Sequence, residues 1–553
     1  MSVAERPSAA THEVTNQPPP LAPLNLFTSD RVLQEAAERE GAGWARQALV
    51  EAGESWGGEP LLEWGPQANE NPPRLKVVDR YGHRLDEVEF HPSWHELMRL
   101  SSEGGLNSLP WTETERPAHV VRAAGAIMTG QVEAGHGCPM TMTFAVVPAL
   151  RAQSEIAAEW EPLLTAPAYD GRLIPASEKG SAKAGMAMTE KQGGSDVRAN
   201  TTVAEPVDGG GAGGEYLLRG HKWFCSAPMC DMFLVLAQTE DHPTRPSCFH
   251  VPRILPDGSR NVFRIQRLKE KLGDRSNASS EVEFDGTWGR MVGEPGRGVP
   301  TIIEMVGHTR LDCIIGSAAG MRWAVANATW HTAHRAAFGK LLAEQPLMRN
   351  VLADIAIESE AATALALRLA RAYDEDDVAL RRLGTAVGKY WVCKRLPGLA
   401  AEAMECLGGN GFVEESGMPR LFRQSPLNSI WEGSGNVNAL DVLRALAKQP
   451  EVLAAYFDEL ELAGGADARL DAFIAGVRDE FADLDGVEVR ARRIVEKLAL
   501  AWQGSLLVRG APAEVADAFC ASRLAGDAGL AYGTLPRGLD LAAIVERATP
   551  VAA

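Results

Sequence analysis

The chain reads as an α+β protein, mainly α, with an N-terminal helical domain, a small antiparallel β domain, a C-terminal helix bundle and a helical extension. Three observations carry this. Apolar and small residues recur at helical spacing from Asp30 to about Leu164. Between Ala184 and Val299 the pattern changes to short alternating runs closed by turn residues. After Pro300 the helical period returns and persists.

Taken in order, residues 1–29 form a Pro-rich arm, "MSVAERPSAATHEVTNQPPPLAP" and onward, without the apolar core or cleavage pattern of a signal peptide. The helical domain spans 30–183, and Asp30 is placed to cap the first helix of "DRVLQEAAEREGAGWARQALVEAG". In the β domain, 184–299, the strands are "EYLLRGHKWFCS", "MFLVLAQT", "CFHVPR", "FRIQRLK" and "SSEVEFDG". The glycines of Asp208–Glu215 lengthen a hairpin loop. The bundle covers 300–448, where "RWAVANATWHTAHRAAFGK" and the residues after it place apolar groups at i, i+3, i+4 and i+7. A helical extension, 449–553, follows Pro450.

Bulk properties narrow the function. The 553 residues carry a net charge of −18, a field that on average repels nucleic acid and anionic membranes. No apolar run approaches the roughly 20 residues that cross a bilayer. Eight scattered cysteines without CxxC spacing point to reduced thiols in a cytoplasmic protein, and His331 and His334 lack a third metal ligand.

Three short segments carry candidate chemistry. "MAMTEKQGGSDVRANTT", Met186–Thr202, concentrates hydroxyls and unobstructed backbone N–H groups for an acceptor-rich ligand, although most Gly/Ser loops are only loops. In "CLGGNGFVEESGMPRLFRQSPLNSIWEGSGNVNALDVLRAL", Gly408, Gly409 and Gly411 end a helix. Further on, Glu432 sits beside Trp431 just before a glycine turn. A carboxylate in a partly dry niche can act as a general base; taken alone, an exposed turn glutamate is the favoured reading. "HRAAFGK" puts Arg335 and Phe338 one helical turn apart and on one face, suited to a pyrophosphate beside adenine, or equally to a surface arginine over a core ring.

In this order the motifs resemble the acyl-CoA dehydrogenase superfamily over roughly residues 95–448. "LNLFTSD", "MTEKQGGSDVRANTT", "HKWFCSAP" and "LFRQSPLNSIWEGSGNVNALDVLR" resemble its AidB-type branch, of the bacterial adaptive response to DNA alkylation. The resemblance implies FAD as cofactor. Met186, Met188, Thr189, Gly193, Gly194 and Ser195 would border the flavin, and Lys222 to Ser226 would form the strand over the ring. Within that strand the stacking residue is Trp223 or Phe224, which spacing does not settle. Arg335, Phe338, Gly408, Gly409 and Gly411 would reach the FAD of a neighbouring subunit in a homotetramer. Ile430, Trp431, Gly433, Ser434, Gly435, Asn436 and Leu440 would close over the cofactor.

By the same resemblance Glu432 is the base that removes a thioester α-proton. Trp431 stands where the family usually has tyrosine, and "TEKQGGSD" departs from TEPxAGSD, so a crowded pocket and weak or vestigial acyl-CoA oxidation are expected. The extension occupies the place that the branch uses to bind double-stranded DNA. It carries ten Lys and Arg against seventeen Asp and Glu, unlike an ordinary DNA-binding domain. Its local basic face would be Arg490, Arg493 and Lys497, joined by Arg444 and Lys448 and by Arg420 and Arg423. The plain alternative is solvated helix charge paired with Glu488 and Glu496. A metabolic dehydrogenase of short or branched acyl-CoA, without a DNA role, is the competing function.

Overall fold

The computed structural model describes residues 11–551. Ten residues of the expected N-terminal arm lie outside this range. Asp30 caps α1 (Arg31–Arg39): its carboxylate accepts from the Leu33 N–H at 3.1 Å and pairs with Arg322 at 2.9 Å. Helices α2 (Arg46–Trp56) and α3 (Leu61–Glu70) follow, and then an antiparallel hairpin, β1 (Arg74–Val78) and β2 (Arg84–Glu89), interrupts the expected helical run. Its alternating residues give strands with one face half-buried. The domain is completed by α4 (Pro92–Glu103), α5 (Leu109–Thr112), α6 (Ala118–Val132), α7 (Gly137–Leu150) and α8 (Ser154–Leu164).

The β domain contains β3 (Ala184–Ala187), β4 (Val203–Pro206), β5 (Glu215–Ser226), β6 (Met232–Thr239), β7 (His242–Pro252), β8 (Arg264–Leu268) and β9 (Ser279–Val292). Strands β4, β5, β9, β7 and β6 pair in a closed cycle, with β3 added to β6 and β8 to β9. The expected antiparallel pairing holds except at β6, which runs parallel to β3 and, at one position, to β4. Closure leaves β6 buried at every residue. The β5–β9 register, Glu215↔Arg290 to Ser226↔Ser279, shifts between Lys222 and Cys225. That bulge re-aims Trp223 and Phe224.

The long helix α9 (Gly298–His334) leads to a minimal hairpin, β10 (Ala336–Ala337) and β11 (Lys340–Leu341), and then to α10 (Pro346–Asp374), α11 (Val378–Cys406), α12 (Met418–Gln424) and α13 (Gly435–Lys448). The hairpin corrects the reading of Arg335 and Phe338. The helix stops at His334, and Phe338 (φ 54°) and Gly339 (φ 78°) form a two-residue turn with both angles positive, the preferred connection of a tight hairpin. Phe338 stands fully exposed at its tip. Arg335 donates to the Asn16 carbonyl at 2.6 Å, while the Asn16 amide exchanges two hydrogen bonds with the Ala336 backbone. The N-terminal arm thus drapes over the end of α9.

The extension comprises α14 (Glu451–Glu461), α15 (Ala468–Asp479), α16 (Val487–Gly510), α17 (Ala513–Phe519) and α18 (Leu541–Ala548). Its Tyr456, Trp502 and Phe519 are buried in the same apolar core as α1, α6, α9, α10 and α11. Charged ties reinforce the join. Arg523 pairs with buried Asp354 and Glu358 on α10, and Arg547 pairs with Glu360 on α10 and Glu35 on α1.

Candidate active site

A cavity of about 670 Å³ opens where the β domain meets α7, α9 and the segment before α13. Its carboxylate is Glu432. The residue adopts a left-handed conformation, φ 56°, and Gly433 follows at φ 99°, a strained turn for a side chain with a Cβ. Three side chains hold it. Lys389 from α11 donates to the carbonyls of Trp431 and Gly433 at 2.8 and 2.9 Å. Arg310 from α9 donates to the Glu432 carbonyl at 2.9 Å, and Asn438 donates to that of Gly433. The carboxylate lies free of these clamps, accepting from the Thr309 hydroxyl at 2.6 Å.

Burial raises the Glu432 pKa above the usual carboxylate range, outweighing the Thr309 hydrogen bond and the charges of Lys389 and Arg310. Trp431 is pinned by its indole N–H to Asn428 at 2.9 Å. It lines the cavity.

Opposite this turn, Met186, Met188, Thr189, Gly194 and Ser195 line the cavity with Phe224 and Ser226 of β5. A Cβ on Gly194 would stand 2.4 Å from the Thr189 hydroxyl oxygen, so glycine makes the room. Lys222 and Trp223 do not line it. The Lys222 ammonium is fully buried on Glu190 at 2.9 Å and the Leu236 carbonyl at 2.7 Å. Burial opposes ionisation of Glu190, but Lys222 and the Thr201 and Thr202 backbone hold its pKa down at about 2. Trp223 lies beneath Lys269, whose ammonium is 3.7 Å from its ring centre and 4.4 Å from that of Phe224. The residue facing the cavity is Phe224.

Ile430, Gly433, Ser434 and Arg444 also line the cavity. Gly435 and Asn436 form the first turn of α13, and Leu440 lies a turn further along. Gly193, Arg335, Phe338, Gly408, Gly409 and Gly411 do not line the cavity of this chain. Gly411 is nevertheless required by packing, since a Cβ would meet the Met404 carbonyl at 2.2 Å. Sequence reasoning missed Thr309, Arg310 and Lys389. Its one available signal was the polar run "HTRLD", 308–312, inside an otherwise apolar helix.

The basic face of the extension is reorganised. Arg490, Arg493 and Lys497 converge on one carboxylate, Glu480, at 2.9, 3.0 and 2.6 Å, and not on Glu488 or Glu496. Arg423 pairs with Glu414 at 2.7 Å. Arg420 is half-buried: it donates to the Val132 carbonyl at 3.0 Å, and burial lowers its pKa. Among the described residues no cluster of His, Cys, Asp or Glu suits a metal ion, and no helix is long and apolar enough to cross a membrane.

Buried cofactor-sized space, an activated carboxylate and helical layers around a small β domain define an acyl-CoA dehydrogenase architecture. Comparison with known proteins agrees. Residues 16–171 match the adaptive response protein AidB N-terminal domain, 185–287 the acyl-CoA dehydrogenase middle domain and 296–447 its C-terminal domain. The chain belongs to the acyl-CoA dehydrogenase family, in its AidB branch. It is 45% identical to AidB of Escherichia coli over 92% of this chain and 94% of that one. Acyl-CoA dehydrogenase family member 11 of Caenorhabditis elegans is 31% identical over 72% of this chain and 66% of its own length. The crystal structure of C. elegans ACDH-11 in complex with C11-CoA superposes with a TM-score of 0.85 at 24% identity, covering 94% of both chains. A structure of Bd2924 in its apo form reaches 0.81 at 27% identity, covering 90% of this chain and 99% of that one.

Proposed function

We propose that the chain is an FAD-dependent enzyme that dehydrogenates acyl-CoA thioesters, with Glu432 as the base. The observation that carries this is Glu432 itself, a carboxylate of raised pKa on a clamped turn facing a cavity of about 670 Å³. The cavity suits the cofactor. Thr189 and Ser195 offer hydroxyls, Gly194 offers room, Phe224 offers an aromatic face, and the N-terminus of α13 offers backbone donors for phosphate. Arg335, Phe338 and the Gly408–Gly411 turn belong to the FAD site of a neighbouring subunit in a homotetramer. When bound, FAD supplies the two-electron acceptor.

The chain's own residues do the rest. Glu432 takes the proton α to the thioester carbonyl, Thr309 orients its carboxylate, and Lys389 and Arg310 keep the turn in place. The C11-CoA complex of ACDH-11, a protein of the same fold, supports the substrate class. The test is Glu432→Gln. The variant should purify with flavin bound and show no flavin reduction by isovaleryl-CoA, where wild type shows it. Unchanged reduction removes Glu432 as the base, and a wild-type chain that cannot be loaded with FAD removes the whole reading.

A second reading, double-stranded DNA binding in an alkylation response, is favoured by one surface. Three cations share the single Glu480 carboxylate, and Arg444 and Lys448 stand exposed on α13, which packs against α16. Arg493→Glu with Lys497→Glu should weaken binding to a duplex of arbitrary sequence and reduce its salt dependence. Wild type that does not bind at low salt ends this reading and leaves the metabolic dehydrogenase.

A further inference from the structure

One carboxylate in the cavity wall plays no part in the chemistry above. Asp441 lies on α13, one turn beyond Asn438, and is partly buried. Its Oδ2 accepts from Arg310 Nη1 at 2.8 Å, and its Oδ1 from Nη2 of Arg382, on α11, at 2.9 Å. Arg382 Nη1 adds a longer bond to Oδ2 at 3.3 Å. Burial opposes ionisation of Asp441, but the two guanidinium groups hold its pKa below the usual carboxylate range, so it is charged.

Through Arg310 this carboxylate reaches the turn that bears Glu432. The guanidinium is used on three sides. Its Nε donates to the Glu432 carbonyl at 2.9 Å, its Nη1 goes to Asp441, and a Cβ on Gly433 would stand 3.1 Å from its Nη2. The planar fork fixes these directions relative to one another, so the place of Asp441 sets the place of the Glu432 carbonyl. Arg382 and Lys389 stand at i and i+7 on α11, hence on one face. That helix therefore grips the turn twice, directly through Lys389 and indirectly through Arg382 and Asp441.

We propose that Asp441 is a positioning residue for Glu432, holding Arg310 on the carbonyl of the turn while cancelling its charge beside the reacting carboxylate. The assignment rests on Glu432 being the base. The charge matters because burial raises the Glu432 pKa while Thr309, Lys389 and Arg310 lower it. A neutral residue at 441 leaves Arg310 uncompensated and makes the base weaker. The other groups around the cavity do not take over this role. Asp312 of α9 is spent on Arg122 at 2.6 Å and Asp274 on Lys271 at 2.8 Å. Burial pushes the Cys138 thiol of α7 up, so it stays neutral, and Arg444 of α13 lines the same wall with a charge of the wrong sign.

The experiment uses the full-length, FAD-loaded chain and follows flavin reduction by isovaleryl-CoA in stopped flow across pH. Asp441→Asn should lower the limiting rate about ten- to hundredfold, as a misplaced reacting group does, with the thioester dissociation constant changed less than about twofold. It should also move the acid limb of the rate profile to lower pH. Asp441→Glu, which keeps the charge, should recover part of the rate. Arg382→Met should move the limb the other way, to higher pH, because Asp441 then compensates Arg310 alone. Arg382 is one-third exposed, so this arm stands even where the Asp441 variants do not fold. Wild-type rate and limb in Asp441→Asn overturn the proposal, as does a limb that moves the same way in Asp441→Asn and Arg382→Met. A lost rate with an unmoved limb and no recovery in Asp441→Glu leaves Asp441 a packing residue only. Flavin that wild type does not reduce, or that Glu432→Gln still reduces, removes the reading beneath; if Glu432→Gln is inactive and Asp441→Asn behaves as wild type, the proposal alone fails.

Discussion

At Glu432 a backbone cost and a chemical requirement meet. A left-handed non-glycine residue costs on the order of 1–3 kcal/mol, and Lys389, Arg310 and Asn438 offset it through the carbonyls of the turn. Lys389→Met should therefore lower kcat at least tenfold while circular dichroism still reports a helical protein; unchanged kcat would show that the turn holds without its clamp. The pH dependence follows from the same group. Only the ionised carboxylate can take a proton, and burial has raised its pKa above 4.5. The kcat/KM profile should lose activity as pH falls through that raised value. Thr309 works against the rise, so Thr309→Val should move the acid limb to higher pH. A limb that stays put would place the titration on another group. The position of Glu432 beside Trp431 was legible from local sequence. Its clamps were not, because Arg310 and Lys389 lie on helices whose packing brings them together only in three dimensions.

Strand β5 shows how an element divides its work. At the bulge Lys269 stands over both rings, and of the two only Phe224 lines the cavity, a choice that strand alternation could not make because the register itself shifts there. Lys222 does not line the cavity. It locks the Glu190 loop against the sheet. Glu190→Gln leaves a buried ammonium unpaired and should destabilise the chain by about 3–5 kcal/mol, read as the shift of the urea midpoint at neutral pH. The Glu190 pKa is lowered on folding from 4.5 to about 2. Its stabilisation is therefore complete above pH 4.5 and is lost as pH falls from there toward 2. The variant should lack that part of the acid sensitivity; an identical pH dependence would mean that Lys222 holds the loop without the charge. The hairpin after α9 teaches the opposite lesson. Helical spacing continued smoothly through "HRAAFGK", and a two-residue turn at Phe338–Gly339 overrode it.

For the whole molecule, the order of helical domain, β domain and bundle was readable because hydrophobic period changes sharply at each border. The place of the extension was not. Periodicity marks which face of a helix is buried and says nothing about what buries it. Here the partner is the bundle itself, and Trp502, fully buried, packs against Tyr456 with ring centres 5.5 Å apart. Trp502→Ala should cost about 3–5 kcal/mol, and truncation after Pro450 should give an aggregating chain that does not retain flavin. A truncated chain that remains monodisperse and yellow would show that the extension is dispensable for folding.

The ties made by Arg523 and Arg547 carry a consequence for how the protein is made. Asp354 and Glu360 leave the ribosome well before Arg523 and Arg547, the arginines that neutralise them. Glu358 has Arg395 of α11 at 2.9 Å, but until the last segment emerges α10 holds two carboxylates destined for the interior with no counter-charge, and the helices behind Glu432 are not fully tied. Synthesis is thus complete before the active site is. A stop codon just ahead of Arg523 would spare every residue of that site and still abolish it.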